Sequence, residues 1–284
     1  MQKLKMVIPK GRICDNVVNL LNEAGFKLKI DERVYRPAIS DPELEVKIMK
    51  PQNIPKLIEL GSHDIGFTGY DWIVETEADV IELIDLKFDP VRIIAAIPKA
   101  LLGQNLRQRR IVVASEYDRI ARSFLDTEGY DYVFLRTYGA TEVFPPDDAD
   151  MIIDNSATGR SLKDHSLEVI ATLFESSTRF IANKRVLEDS WKKEKIREMN
   201  MLFQSVLDAR CRVILEMNIP KEKFGPIVKI LPCMQAPTVA PLHSGGGYAV
   251  KIAVKKDEVP KLIPLLKKLG ATDILEYDIR KVVI

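Results

Sequence analysis

The chain has 284 residues, of which 46% are hydrophobic and 29% are charged. This length suffices for two or three compact units, and the composition excludes both a disordered chain and one embedded in a membrane. The 42 lysines and arginines nearly balance the 41 acidic residues, so the net charge of +1 excludes the broad positive surface of a nucleic-acid-binding protein, and any anion site is local.

Strands and helices alternate along the first 90 residues. Short apolar runs mark the strands, and apolar residues at helical spacing, closed by glycines, mark the helices. We predict strand 4–9, helix 13–24, strand 44–48, helix 51–60, strand 64–67 and a short helix from Asp71. This alternation predicts a mostly parallel sheet, which would form a first lobe over residues 1–90.

A second sheet is predicted to begin at residue 91. Near-continuous apolar runs there are typical of buried strands. The predicted elements are strands 91–97, 110–114, 132–135 and 151–154, with a helix around 120–125. They define a second lobe over 91–170. Residues 171–205 are expected to return to the first lobe, with a strand at 180–182 and a helix at 190–209.

The last 79 residues, 206–284, have a different pattern. Strands and helices follow there in the order βαββαβ, which is the order of a ferredoxin-like domain. The predicted elements are strands 212–217, 238–240, 248–254 and 274–283, and helices 221–230 and 259–269. We therefore expect an α/β protein with a separate C-terminal domain.

The segment MIIDNSATGRSL carries the clearest chemical signal. An apolar strand brings Asp154 to its carboxyl end, and a helix is predicted to begin directly afterwards. Free amides at a helix start favour a phosphate, and Gly159 permits a close backbone approach. Asp154 then fits as an acceptor for the hydroxyls of a sugar. By itself, the same TGRS stretch is equally consistent with an ordinary helix cap.

The number and spacing of the cysteines, the histidines and the apolar runs argue against disulfide-bonded, metal-binding and membrane proteins. Cys14, Cys211 and Cys233 are odd in number and far apart, so neither a disulfide framework nor a zinc site is expected. The three histidines are scattered without metal-binding spacing. The N-terminal apolar run is interrupted by Pro9 and Lys10, and no run approaches about 18 residues, so we expect a cytoplasmic protein without a membrane partner.

Seven short segments, taken together, resemble a known family. They are PKGR at 9–12, SDPELE at 40–45, KPQNIP at 50–55, DIGFTGYD at 64–71, GATE at 139–142, DNSATGRSL at 154–162 and APTVAPL at 236–242. In this order they resemble the long form of ATP phosphoribosyltransferase, the first enzyme of histidine biosynthesis. The resemblance covers essentially the whole chain.

The resemblance implies a fold and a reaction. The fold is a two-lobed catalytic body like the type II periplasmic binding proteins, followed by the C-terminal domain as a regulatory unit. The reaction is that of a pentosyltransferase, in which ring nitrogen 1 of the adenine of ATP attacks the anomeric carbon of phosphoribosyl pyrophosphate. Pyrophosphate leaves with Mg²⁺, the cofactor that the resemblance implies. Mg²⁺ is expected to be carried mainly by the substrate pyrophosphate, and no residues of the chain are assigned as its ligands.

The resemblance also implies roles for residues in the cleft. Asp154, Glu142 and Lys10 are expected to be catalytic. The phosphoribosyl group would be held by Asp154, Ala157, Thr158, Gly159, Arg160 and Ser161, and ATP or pyrophosphate by Lys10, Gly11, Arg12, Lys50, Thr68, Gly69 and Asp71. The family commonly has Arg at Lys50 and Thr at Ser161. From the residues alone, Lys10 and Lys50 are equally consistent with solvated loop lysines, and Asp71 with a helix cap.

Regulation is the last implication of the resemblance. Histidine is expected to bind the C-terminal domain as a feedback inhibitor, at Asn218, Thr238 and Asp273, where subunits meet. The resemblance implies homodimers that assemble into hexamers and need no separate regulatory subunit. The HSGGGY stretch at 243–248 is interpreted as a loop near this site, or as an ordinary solvated hairpin loop.

Two other functions remain open on the sequence. A two-lobed protein can be a solute-binding module, although neither an export signal nor a helix-turn-helix pattern is present to support that alternative. The chain could also transfer phosphoribose to a free base. A single acid, Asp154, precedes the TG turn here, whereas purine and pyrimidine salvage enzymes usually have two, which argues against the salvage fold.

Overall fold

The computed structural model describes residues 2–30, 34–243 and 245–284. The chain forms two compact units, the first containing Met1–Asn22 and Phe26–Lys195, and the second Glu23–Gly25 and Ile196–Ile284. No helix in the described ranges is long and apolar enough to cross a membrane. The predicted loop at 243–248 includes Ser244, which lies outside the described residues.

The first unit is built from two sheets with helices between their strands. Its elements are β1 (Leu4–Pro9), α1 (Arg12–Ala24), β2 (Leu44–Met49), α2 (Ile54–Glu59), β3 (Ile65–Gly69), α3 (Tyr70–Thr76), β4 (Val80–Asp85), β5 (Val91–Pro98), β6 (Ile111–Ser115), α4 (Asp118–Thr127), β7 (Tyr132–Arg136), β8 (Met151–Ser156), α5 (Arg160–Asp164), β9 (Leu167–Ser176) and β10 (Thr178–Asn183). Short 3-10 helices lie at Pro51–Asn53, Lys99–Leu101, Leu106–Gln108, Thr141–Val143 and Lys184–Glu188.

Each sheet defines one lobe. The strand order is β2-β1-β3-β10-β4 in the first sheet and β7-β6-β8-β5-β9 in the second. In the first lobe β1 runs parallel to β2 and β3, and in the second β6 runs parallel to β7 and β8. Because parallel strands end at the same edge of a sheet, the loops that follow them share one edge in each lobe, where ligands of open α/β sheets bind.

The lobe boundaries differ from the predicted ones. The second sheet extends through β9 to Ser176, beyond residue 170, and β10 begins the return at Thr178. The sequence prediction contained neither β4 nor β9. Both strands are largely half-buried or exposed and contain several polar residues, so neither has the continuous apolar run that marks a buried strand.

The second unit is the ferredoxin-like domain. Helix α6 (Ser190–Arg210) is followed by β11 (Arg212–Pro220), a 3-10 helix (Lys221–Lys223), α7 (Phe224–Val228), β12 (Thr238–Pro241), β13 (Gly247–Lys255), α8 (Val259–Leu269) and β14 (Thr272–Asp278). Its sheet has the antiparallel order β12-β13-β11-β14. Residues on one face of β11 pack with Leu262 and Leu266 of α8 in a core. The predicted fold class, with two lobes and a βαββαβ domain, is confirmed.

Candidate active site

The segment from Asp154 to Leu162 forms an open loop between two buried anchors. Ser156 at the end of β8 and Leu162 in α5 are each 6% exposed, whereas the residues between them reach the surface. Gly159 has φ of 71°, the left-handed region that favours glycine, and directly precedes α5. The backbone N–H of Arg160 donates to the Thr158 hydroxyl at 3.4 Å. The predicted strand, turn and helix are therefore present.

This loop borders a cavity of about 490 Å³. Besides the loop, the wall contains Arg12, from the start of α1 in the first lobe, and Glu142, from the 3-10 helix Thr141–Val143. Asp154 and five loop residues, Ala157, Thr158, Gly159, Arg160 and Ser161, line the same cavity. The structure thus brings the predicted phosphoribosyl residues together with two charged side chains from elsewhere in the chain.

The Asp154 carboxyl group has an unusual environment. Burial raises its pKa to about 6, and the nearby carboxylates of Glu116 and Glu142 add to this rise. Hydrogen bonds from the backbone N–H of Asn155 and from the Thr141 hydroxyl oppose the rise. A carboxyl group with a pKa near neutral pH is suited to act as a general base. Its ionised form also accepts hydrogen bonds from sugar hydroxyls.

A second cavity, of about 200 Å³, continues the site into the cleft between the lobes. Arg12 and Asn155 line both cavities, so the two share a wall. The second cavity also carries Lys10, Gly69 and Glu116, which follow or end β1, β3 and β6. The site thus lies at the carboxyl ends of parallel strands from both sheets, as expected for an α/β fold.

The predicted cationic residues differ in placement. Lys10 is exposed, and its Nζ lies 5.4 Å from the centre of the Tyr35 ring. Gly11 has φ of 88°, which allows the chain to turn from β1 into α1. Lys50 is exposed at the end of β2, next to Pro51 of the cavity wall. Arg12 is the predicted cation that faces both cavities.

Thr68 and Asp71 are already paired inside the protein. Thr68 has no exposed surface, and its hydroxyl donates to the Pro51 carbonyl at 3.0 Å. Asp71 is 5% exposed, and its carboxylate accepts hydrogen bonds from Tyr117 Oη at 2.7 Å and Ser176 Oγ at 2.6 Å. A Cβ at Gly69 would overlap this carboxylate. Asp71 borders the second cavity, but its carboxylate is already hydrogen-bonded to side chains inside the protein.

Two polar atoms near the cleft have no hydrogen-bond partner among the residues that the structure describes. Gln52 Oε1 and Thr178 Oγ1 are buried without a hydrogen bond, and both residues line the second cavity. Thr178 is 1% exposed. Buried polar groups are nearly always paired in proteins, with other protein groups or with water, so these two atoms are free to bond a molecule in the cavity.

Comparison with known sequences agrees with this geometry. The ATP phosphoribosyltransferase (HisG) family model matches residues 50–205, and the HisG C-terminal domain model matches residues 209–281. The ATP phosphoribosyltransferase of Pelotomaculum thermopropionicum is 40% identical over 289 residues, covering 99% of both chains. That of Chlorobium phaeovibrioides is 39% identical over 293 residues, covering 99% of this chain and 97% of its own.

This chain belongs to the ATP phosphoribosyltransferase family. Among solved structures, the ATP phosphoribosyl transferase (HisG:HisZ) complex from Thermotoga maritima has a TM-score of 0.63 at 22% identity, covering 71% of this chain and 98% of its own. At that identity the match supports the fold alone. The expected family, long form included, is confirmed, since both the catalytic and the C-terminal models match.

The residues of the second cavity that sequence reasoning missed include Gln52 and Thr178, and also Glu116, Tyr117 and Asn155. Glu116 and Tyr117 follow β6 directly, and Asn155 follows Asp154, so all three come at or just after a strand end. The position after a parallel strand was the available signal. It was not used for β6 because Ser115, Glu116 and Tyr117 have neither a glycine turn nor a basic residue.

In the HisG C-terminal domain, two of the three predicted regulatory residues are in contact. Asn218 on β11 donates through Nδ2 to Asp273 Oδ2 at 2.9 Å. The Thr272 hydroxyl donates to the same oxygen, and these bonds lower the pKa of Asp273. Thr238 lies on β12, which is separated from β11 by β13, and is exposed. Thr238 is therefore not brought into contact with the other two.

Proposed function

We propose that this chain transfers a phosphoribosyl group from phosphoribosyl pyrophosphate to ring nitrogen 1 of the adenine of ATP, giving phosphoribosyl-ATP and pyrophosphate. The observation that carries this proposal is the Asp154–Leu162 loop, which lines a cavity large enough for a sugar phosphate in a chain that belongs to the ATP phosphoribosyltransferase family. This cavity shares a wall with the second cavity in the cleft, which supports a site that holds two substrates.

The loop offers what a ribose 5-phosphate needs. Residues 157–161 present backbone N–H groups and two hydroxyls to the cavity, and Gly159 leaves open space where a side chain would stand. Asp154 and Glu142 are carboxylates on the same wall, suited to accept hydrogen bonds from the vicinal ribose hydroxyls. In this proposal the loop fixes the sugar while its anomeric carbon faces the cleft.

Positive side chains on the cleft side suit the leaving group. As pyrophosphate departs, negative charge develops on its oxygens and positive charge on the ribose ring, so fixed charges contribute most of the catalysis. Arg12 lines both cavities and Lys10 lines the second, which supports a role for both in neutralising pyrophosphate or the ATP triphosphate. Asp154 and Glu142 would stabilise the oxocarbenium-like ribose. No covalent nucleophile is needed.

Mg²⁺ fits this site as part of the substrate. The described residues contain no cluster of three or more histidine, cysteine or acidic side chains suited to hold a metal ion. Mg²⁺ commonly binds one or two carboxylates together with substrate phosphates. On this principle we propose that Mg²⁺ arrives with pyrophosphate oxygens and that its charge adds to that of Arg12 and Lys10.

The adenine side of the site is proposed to lie in the second cavity. Its unpaired Gln52 Oε1 and Thr178 Oγ1 offer an acceptor and a hydroxyl to a base with both donors and acceptors. The predicted contact of Lys50 with ATP or pyrophosphate stays a prediction, since this exposed side chain can turn toward the cleft.

Incubation with ATP, phosphoribosyl pyrophosphate and Mg²⁺ tests the proposal. We expect a product with the mass of phosphoribosyl-ATP and an equal amount of pyrophosphate. Adenine in place of ATP serves as the matched control for transfer to a free base, and we expect no product from it. Folded protein that binds phosphoribosyl pyrophosphate but forms no product would contradict the proposal and favour a binding module.

Histidine feedback at the C-terminal domain is part of this proposal. Asn218 donates a hydrogen bond to the Asp273 carboxylate and lowers its pKa. A carboxylate that stays ionised can bind the positively charged amino group of an amino acid. We expect histidine to inhibit product formation and Asn218→Ala to weaken that inhibition without slowing the uninhibited reaction. Thr238→Ala is expected to act in the same direction. Unchanged inhibition in both variants would remove these residues from the site.

Assembly follows the same proposal. We expect homodimers that associate into hexamers when histidine is added, without a regulatory subunit. Sedimentation velocity with and without histidine measures both states. A chain that stays monomeric and is nevertheless inhibited by histidine would contradict the proposed assembly.

A further inference from the structure

A chain of hydrogen bonds connects Asp154 to the interior of the protein. Asn155 donates through Nδ2 to Asp154 Oδ1 and to Tyr117 Oη, both at 3.1 Å. Tyr117 Oη donates to Asp71 Oδ2 at 2.7 Å, and Ser176 Oγ donates to Asp71 Oδ1 at 2.6 Å. Five side chains thus form one continuous series from the end of β9 to the phosphoribosyl loop.

The direction of every bond in the series is fixed by chemistry. Tyr117 has a single hydroxyl proton, which it donates to Asp71 Oδ2. The tyrosine oxygen can then only accept, and its partner must be the amide NH₂ of Asn155. The second N–H of that NH₂ points to Asp154, which is also an acceptor. This leaves Asn155 a single orientation in which both of its neighbours are satisfied.

We propose, building on the proposed transferase function, that Tyr117 is a positioning residue that holds Asn155 and, through it, the Asp154 carboxylate in the orientation that contacts the ribose. Tyr117 borders the second cavity but exposes none of its surface, and its hydroxyl is already hydrogen-bonded to Asp71 and Asn155. Asn155 is exposed and lines both cavities, which makes it the link between the buried residue and the ligand.

The neighbours of Tyr117 hold it firmly. Its ring stacks on Trp72 of α3, with centroids 4.6 Å apart. The Glu75 carboxylate, one turn further along α3, accepts the backbone N–H groups of Asp118, Arg119 and Ile120 at the start of α4 at 2.7 to 3.2 Å. Helix α3 follows the first sheet, but Trp72 belongs to the core of the second lobe. The position of Asn155 is therefore set by contacts between elements of both lobes.

Removal of the tyrosine hydroxyl weakens the hydrogen bond from Asn155 to the Asp154 carboxylate. Without its anchor, the Asn155 amide no longer donates steadily to the carboxylate, so the pKa of Asp154 rises further. The other groups around this carboxylate are the acids Glu116 and Glu142, the Thr141 hydroxyl, and the cations Arg12 and Arg160 that share its cavity. None of them is removed by a substitution at Tyr117.

Tyr117→Phe tests the proposal without changing the size of the side chain. We expect kcat/KM for phosphoribosyl pyrophosphate to fall by roughly tenfold to a hundredfold, because misplacing a catalytic group slightly costs that much. The acidic limb of the pH profile should move to higher pH. Tyr132→Phe is the matched control, since its hydroxyl bonds Asp126 at 2.9 Å on the same lobe without reaching the loop, and it should leave both readouts unchanged.

A double variant separates positioning from general weakening of the fold. Asn155→Ala alone should lower kcat/KM at least as much as Tyr117→Phe, and the two together should be no worse than Asn155→Ala alone. Additive losses would show that Tyr117 acts by another route and would overturn the proposal. So would a Tyr117→Phe protein with a lower Tm but an unchanged pH profile and kcat/KM.

Calorimetry distinguishes failure of the positioning role from failure of the transferase function. Binding of phosphoribosyl pyrophosphate with Mg²⁺ is measured for the unchanged chain and for Tyr117→Phe. If the unchanged chain binds but forms no phosphoribosyl-ATP, the transferase function fails, and a weaker binding by Tyr117→Phe still supports the positioning role. Equal binding by both chains would overturn that role whatever the reaction.

Discussion

Two regions of the first unit share one sequence pattern and differ in how their polar groups are used. The Asp154–Leu162 loop and the segment 68–76 both place a threonine, a glycine and an aspartate where a strand ends and a short helix starts. The loop is open and faces a cavity. In the segment 68–76, Thr68 and Asp71 are buried and hydrogen-bonded within the protein.

The difference arises from what packs onto each segment. Trp72 and Val74 in α3 lie against the core of the second lobe, so the polar residues beside them are covered. In α5, Leu162 is buried, and the residues before it stay at the surface. A polar strand end therefore predicts where a site lies, whereas tertiary packing decides which polar groups remain free for a ligand.

Asp154→Asn should have the largest effect on activity. It keeps the size of the side chain but removes the charge that we propose faces the ribose, and we expect turnover to fall by roughly 10² to 10³. Steady-state kinetics with ATP and phosphoribosyl pyrophosphate measure this loss. A turnover within tenfold of that of the unchanged chain would mean that the open loop does not supply the decisive charge.

The same substitution should raise stability at neutral pH. The Asp154 carboxyl binds its proton more tightly in the folded chain, where its pKa is about 6, than in the unfolded chain, where it is near 3.8. Its contribution to the free energy of unfolding therefore falls as pH rises between about 4 and 6 and stays lower above that range. Without substrate, Asp154→Asn should be about 1 to 3 kcal/mol more stable at pH 8 and equal at pH 4 by urea unfolding.

Gly159→Val should be next in effect and should act on binding. Its φ of 71° is unfavourable for valine, and the side chain would project into open space where we propose that the phosphate binds. We expect KM for phosphoribosyl pyrophosphate to rise by about tenfold or more. Gly129→Val is a matched control, because Gly129 has φ of 72°, equally open surroundings and a place beyond α4, away from the cavity. Equal effects on KM in both variants would contradict the phosphate role.

Glu75→Gln tests how strongly α3, in the buried segment 68–76, is held to the start of α4. The carboxylate accepts three backbone N–H groups there, and its negative charge is favourable at a helix N-terminus. We expect a loss of about 1 to 2 kcal/mol in the free energy of unfolding, measured by urea titration. The control Glu77→Gln removes an acid that pairs with Arg119 at the surface and should cost less than about 0.5 kcal/mol. Equal losses in the two variants would show that Glu75 contributes no more to stability than a surface ion pair does.

Thr68→Val gives the smallest expected change. It removes the hydrogen bond to the Pro51 carbonyl while conserving shape, so we expect about 1 kcal/mol lower stability. KM values for both substrates should change less than twofold, since the hydroxyl is fully buried. A tenfold rise in KM for ATP would show that Thr68 contacts the nucleotide after all and would remove the contrast between the two regions.

The sequence predicted most elements because their patterns are local. The strand Leu4–Pro9 is predicted with its observed bounds, and Gly25 and Gly270 end helices as expected. The half-exposed strands β4 and β9 were missed because polar residues interrupt their apolar runs. Pairing with β10 and β5 stabilises them, and both partners are distant in the sequence.

The site was predictable only in its open part. The placement of Gly159 and Asp154 could be predicted because the apolar strand, the glycine turn and the helix start are all adjacent in the sequence. The role of Asp71 could not, since it depends on Tyr117 and Ser176, which are 46 and 105 residues away in the sequence. Contacts of this kind are set by the packing of α3 against the second lobe, which no local pattern records.

The shared wall of the two cavities has a consequence for ligand design. Arg12 and Asn155 face both spaces, so a single molecule that joins a ribose phosphate to a base can occupy the two at once. Once one half is bound, the other half is held at a high effective concentration beside its own cavity. Such a linked molecule should bind far more tightly than either fragment, and its optimal linker length would measure the span between phosphate and base.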